Sequence, residues 1–141
     1  MHTYTHKVQY YETDKMGITH HSNYIRWMEE ARIDFLEQIG YGYGKMERDG
    51  ILSPVIGVEC QYKHPTTFGD EVKITVSVEA FRGVRLVIAY QMVSAATGEP
   101  VLTGKSTHCF TDPNGKPLIL KKSFPQLDAL LKRMAESGSP E

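Results

Sequence analysis

Cysteine is almost missing from this 141-residue chain, with Cys60 and Cys109 the only two, each inside an apolar, strand-like run. Two distant thiols cannot staple a small fold, so a disulfide scaffold is excluded and both are expected as buried, reduced side chains. An excess of one charge is missing too: 16 basic residues face 17 acidic ones, formal net −1. Such a chain has no long-range field to draw nucleic acid or an anionic membrane, and any anionic ligand must be held by a few placed side chains. No apolar run approaches the ~18 residues that suggest a membrane span. With no secretory segment at the N-terminus, a cytoplasmic location is expected. Cys-x-x-Cys spacing does not occur, and adjacent His20 and His21 diverge in most backbone conformations, so no metal site and no cofactor are expected. A Gly-x-Ser-x-Gly elbow and a phosphate-cradling P-loop are also lacking, which removes two common hydrolase designs. Without repeats, low-complexity blocks or linkers, residues 1–136 read as a single domain and 137–141 as a frayed tail.

What is present is period. Val72, Ile74, Val76, Val78 and Ala80 alternate with Lys73, Thr75, Ser77 and Glu79, which gives a strand one dry and one wet face. Ile56, Val58, Cys60 and Tyr62 precede it, Leu86, Ile88, Tyr90 and Met92 follow it, and a further strand runs from Val101 to Thr111. A first strand is expected over Thr3 to Tyr11. Between them, Tyr24, Met28, Ala31, Phe35 and Ile39 recur at helical spacing, opposite Arg26, Glu30, Asp34 and Glu37. The period predicts a long helix over Ser22 to Ile39, capped by Ser22 or Asn23 and closed at Gly40. A short helix is expected at Lys45 to Arg48, and a terminal one from Ser123 to Met134 with Ser123 and Gln126 as a capping box. Strand, long helix, four strands and short helix imply an α+β fold with antiparallel hairpins.

Reactive groups are densest between Tyr10 and Tyr24. Asp14, His20, His21 and Gly17 crowd before the long helix, and two readings of them stand. Asp14 is an ordinary turn residue with the histidines as surface polar groups, or the carboxylate and the helix N-terminus form a site.

The run from Tyr10 to Arg32, with Glu12-Thr13-Asp14, Gly17, His20-His21-Ser22-Asn23-Tyr24 and Trp27-Met28-Glu29-Glu30-Ala31 at fixed offsets, resembles the signature of the hot dog acyl-CoA thioesterases of the 4-hydroxybenzoyl-CoA thioesterase and YbgC type. The likeness extends through Tyr62-Lys63-His64-Pro65 and Gly69-Asp70-Glu71 to about Pro117. It implies a five-stranded, mainly antiparallel sheet wrapped around one long helix, with a short C-terminal helix. It also implies hydrolysis of an acyl-CoA to free acid and CoA. Asp14 then becomes the catalytic nucleophile or general base, Tyr10 and His21 assist it, and the His21 N–H or its neighbours polarise the thioester carbonyl. Asn23, Tyr24 and Trp27 would line the acyl pocket, while Lys63, Arg82 and Arg85 would meet the CoA phosphates. The resemblance further implies a homodimer that continues the sheet and pairs into a homotetramer, with sites at the subunit boundary. One departure stands out: Lys15-Met16 follows the aspartate where the family often has Pro, Ala or Gly. Lys15 beside Asp14 would favour the nucleophile, unless it points to solvent. A hot dog hydratase or dehydratase and a non-catalytic acyl-CoA sensor are the alternative functions.

Overall fold

The computed structural model describes residues 2–137. Its strands are β1 (His2–Lys7), β2 (Val55–Tyr62), β3 (Glu71–Phe81), β4 (Arg85–Ser94) and β5 (Pro100–Cys109). Its helices are α1 (Ser22–Gln38), α2 (Tyr43–Asp49), α3 (Leu120–Ser123) and α4 (Pro125–Ser137). The strands form one sheet in the order β1-β3-β4-β5-β2, with every neighbouring pair antiparallel. Alternation decides what faces inward. Val72, Ile74, Val76 and Val78 of β3 are buried, as are Leu86, Ile88, Tyr90 and Met92 of β4.

Helix α1 supplies the other side of the core. Tyr24, Trp27, Met28, Ala31 and Phe35 are buried at helical spacing, and full burial of large side chains of this kind is worth ~1.5–3 kcal/mol each. Close approach of α1 to β5 depends on Gly104, where a Cβ would lie 3.1 Å from the Glu59 carbonyl oxygen and 3.4 Å from Met28 Cε. Cys60 Sγ sits 3.8 Å from Met28 Sδ on the same seam. Gly40, at φ +87°, follows the end of α1 in the left-handed conformation that glycine tolerates.

Three expected boundaries move. β1 stops at Lys7 because Val8 leaves β3: its N–H donates to the Asp70 carbonyl and its own carbonyl accepts from Gly69. Tyr10 to Glu12 then form a 3-10 turn instead of the strand's end. At the C-terminus Ser123 closes α3 and Pro125 opens α4, so no capping box joins Ser123 to Gln126. Proline suits a first helical position because its missing N–H would have no partner there. Of the expected tail, Ser137 is the last residue of α4 and the remainder lies outside the described residues.

Strand β2 forms one edge of the sheet, and it is wet on both faces. Val55, Ile56, Val58 and Tyr62 are each 42–50 % exposed. An apolar, unpaired edge of this kind is a template for another strand.

Candidate active site

A loop brings Asp14 to the N-terminal end of α1. Thr13 bridges Thr19, the Asp14 N–H donates to the Ile18 carbonyl (2.9 Å), and the His20 N–H donates to the Glu12 carbonyl (2.8 Å). Asp14 Oδ1 accepts the Met16 N–H (2.8 Å), and Gly17 makes the reversal at φ +81°. A second loop, between β2 and β3, braces the first. Thr19 Oγ1 and Thr66 Oγ1 lie 2.7 Å apart, Tyr24 Oη is 3.0 Å from Thr66 Oγ1, and Thr67 Oγ1 donates to the Gly17 carbonyl (2.7 Å).

Beneath the loop, Glu12 is 4 % exposed. Its carboxylate accepts the Gln9 N–H (2.8 Å), the Trp27 indole N–H (2.7 Å) and a His6 ring nitrogen (2.9 Å). Its backbone carbonyl also accepts from Asn23 Nδ2 (2.9 Å). Burial alone would raise the Glu12 carboxyl, but the three donors more than offset it and hold its pKa below the usual carboxylate value. The other His6 ring nitrogen lies 2.9 Å from Glu30 Oε1, so the ring bridges the two carboxylates. Glu12 thereby ties the Asp14 loop to β1 and to the first two turns of α1.

The start of α1 lacks the expected side-chain cap from Ser22 or Asn23. His21 is the N-cap residue, and His20 Nδ1 accepts the Ser22 N–H at 3.2 Å. The N–H groups of Asn23 and Tyr24 bond back to the carbonyls of His20 and His21. Among the described residues the His21 N–H has no acceptor. It is a free donor at the positive end of a 17-residue helix. The two histidine rings stack at 4.3 Å where divergence was expected, because His20 turns back onto Ser22. Among the described residues no three His, Cys, Asp or Glu side chains form a metal-holding group.

The remaining site residues are spread over the molecule. Tyr10 is 75 % exposed and packs edge-on against Phe68 at 5.8 Å. Asn23, Tyr24 and Trp27 are buried, with Asn23 Nδ2 and Trp27 Nε1 bonded to Glu12 and Tyr24 Oη to Thr66. Lys15 is exposed. Lys63 follows β2 beside Val101, whereas Arg82 and Arg85 flank the β3–β4 turn, at the end of the sheet where Arg85 pairs Cys109 and Val55 pairs His108. Strand β2 separates these ends by about 24 Å at the usual rise per residue. Within one protomer, Lys63 and the two arginines therefore cannot hold the same phosphate.

Sequence reasoning passed over Glu12, Thr66 and Thr67, and also a buried polar string of Arg32, Tyr90, Ser106 and His108. The last was visible in principle. Leu102, Gly104, Ser106, His108 and Phe110 share the inward face of β5 by strict alternation, and two polar residues on a dry face require partners.

The thioesterase-like superfamily model matches residues 8–133. YneP of Bacillus subtilis (strain 168), whose name assigns acyl-CoA thioesterase activity provisionally, is 36% identical over 120 residues, 84% of this chain and 86% of YneP. The acyl-CoA thioester hydrolase YbgC of Escherichia coli O157:H7 is 25% identical over 89 residues, 63% of this chain and 66% of YbgC. Among solved structures, a DHNA-CoA thioesterase from Staphylococcus aureus superposes with a TM-score of 0.89 at 30% identity, covering 99% of this chain and 95% of that one. With its antiparallel five-stranded sheet, its long helix and the matched residues from Val8 to Arg133, the chain belongs to the thioesterase-like, hot dog superfamily and is a thioester hydrolase.

Proposed function

We propose that the protein hydrolyses acyl-CoA thioesters to a free acid and CoA, with Asp14 as the reacting carboxylate and the His21 N–H as the group that receives the thioester oxygen. The observation that carries this reading is the unpaired His21 N–H at the start of α1, at the same end of the helix as the Asp14 loop. A backbone donor with a helix dipole behind it stabilises negative charge as it develops on the carbonyl oxygen. Asp14 has two routes. As a nucleophile it adds to the carbonyl, expels CoA thiolate and leaves a mixed anhydride that water opens. As a general base it takes a proton from water as the water adds, and the collapsing intermediate expels the thiolate. His21 orients water or the carboxylate, and Tyr10, exposed at the rim, contacts the incoming substrate.

The exposed β2 edge supports a homodimer in which two β2 strands pair antiparallel about a two-fold axis. Antiparallel pairing sets the Arg82 and Arg85 end of one protomer beside the Lys63 end of the other. That removes the 24 Å separation estimated from the strand rise and lets all three meet CoA phosphates at one boundary. Pairing of dimers into a homotetramer extends the same reading.

The test is thiol release across a panel of acyl-CoAs. Turnover that falls at least ~10²-fold in Asp14→Asn supports the proposal. Saturable binding with no turnover on any ester would establish the sensor, and hydration of an enoyl-CoA without thiol release would establish the hydratase. In a single turnover in oxygen-labelled water, label in Asp14 marks the nucleophile, with water opening the anhydride at the Asp14 carboxyl carbon.

A further inference from the structure

The buried string behind α1 has a fixed direction. Arg32 only donates, so its Nη1 donates to Tyr90 Oη at 3.1 Å. The Tyr90 O–H then donates to Ser106 Oγ (2.6 Å), and the Ser106 O–H donates to His108 Nε2 (2.8 Å). The other His108 nitrogen bonds the Ser53 backbone. His108 must be neutral to accept from Ser106; burial first, and then the Arg32 charge, hold its pKa down at about 4.

Every donor in the string is used except at Arg32. That side chain is 15 % exposed, and among the described residues it makes the one hydrogen bond to Tyr90 and one ion pair, to Glu29, at 4.0 Å. The Glu29 carboxylate is 64 % exposed, so it compensates the guanidinium poorly. Arg32 borders a cavity of about 340 Å³, whose walls include Ile33, Leu36, Ile51 and Leu86. This volume lies in the ordinary range of small-molecule pockets. A second hollow of about 230 Å³, beside Ile25 and Val58, shares Arg32 with the first. The second hollow reaches Ile25 in the first turn of α1, and the two hollows border each other at Arg32.

We propose that this cavity binds an apolar acyl or aryl group carrying an anionic or acceptor oxygen, which the spare Arg32 donors hold while the aliphatic walls enclose the rest. Two sources share this chemistry: the acyl part of a thioester substrate and a free carboxylic acid. The first deepens the proposed acyl-CoA reading and rests on it; the second does not.

The experiment is calorimetric titration of the full chain with octanoate and 1-naphthoate against octylammonium, in wild type, Arg32→Met and Ile33→Trp. Ile33 is half-exposed at the rim, so the tryptophan blocks the cavity without touching the Arg32 string. The inference requires saturable carboxylate binding, no ammonium binding, at least a ~10-fold loss in Arg32→Met, the size of a lost charged hydrogen bond, and loss of binding in Ile33→Trp. Absence of saturable binding, equal binding of ammonium, or full carboxylate affinity in either variant overturns it; should Arg32→Met fail to fold, Ile33→Trp decides. Displacement of the carboxylate by an unhydrolysable acyl-CoA thioether assigns the site to the acyl group, and coexistence assigns it to the free acid. Because binding is read without turnover, failure of the thioesterase reading would leave this result standing.

Discussion

Acidification should destabilise this protein through His108. His108 is 1 % exposed, and its pKa of about 4 lies well below the ordinary histidine value of 6.5. In the unfolded chain it takes up a proton near the ordinary value; in the folded chain it resists until about pH 4. The unfolded state therefore binds more protons across that window, and stability present above pH 6.5 is lost as pH falls toward 4. At ~1.4 kcal/mol per pH unit the full loss is about 3 kcal/mol, a large share of a typical folding free energy. Glu12, with its pKa depressed, contributes stability above 4.5 that is lost only below that value, so the two windows are separable. The assay is urea unfolding at pH 7, 6 and 5 for wild type and His108→Gln. The variant should lose about 1–3 kcal/mol at pH 7 from the broken string, yet fall less steeply than wild type as pH drops. Parallel pH profiles for the two proteins would refute the assignment of a neutral, buried His108.

Other consequences follow from the same contacts. In Glu12→Gln one carboxylate oxygen becomes an NH₂ that faces donors, so unfolding by urea should show a loss of about 1–3 kcal/mol, with a fall in kcat larger than any change in KM as the Asp14 loop slackens. Gly17→Ala places a Cβ at φ +81°; the left-handed conformation costs about 1–2 kcal/mol, and thiol-release assays should show lowered kcat with global secondary structure intact by circular dichroism. Val58→Lys on the exposed β2 edge should give a monomer in sedimentation velocity where the parent sediments as a dimer or larger, with thiol release reduced in parallel.

Sequence period carried the architecture well. The alternation of Val72 to Val78 and of Leu86 to Met92 gave β3 and β4, and the Tyr24 to Phe35 stripe gave α1, because burial on one face leaves a repeating signature. Boundaries moved where a local bond competed with the pattern, as when Val8 turned to Asp70 and Pro125 opened α4. Asp14 and His21 stand out as site candidates only through family offsets, since a carboxylate in a turn has many reasons to be there. Glu12 escaped because nothing in its neighbours announces a buried acid. Its partners His6 and Trp27 lie six and fifteen positions away, and only the fold joins them. The exposed β2 edge could not be read either: Val58 and Tyr62 look like core residues in sequence, and what leaves them wet is β2's place at the end of the strand order.

In the proposed reaction Asp14, beside the unpaired His21 N–H, breaks the acyl-CoA thioester. Continuous measurement of CoA thiol released by wild type and Asp14→Asn, both shown folded by their urea transitions, tests it most directly. Turnover is expected on at least one acyl-CoA, with a fall of at least ~10²-fold in kcat for the variant. An unchanged rate in Asp14→Asn would contradict it.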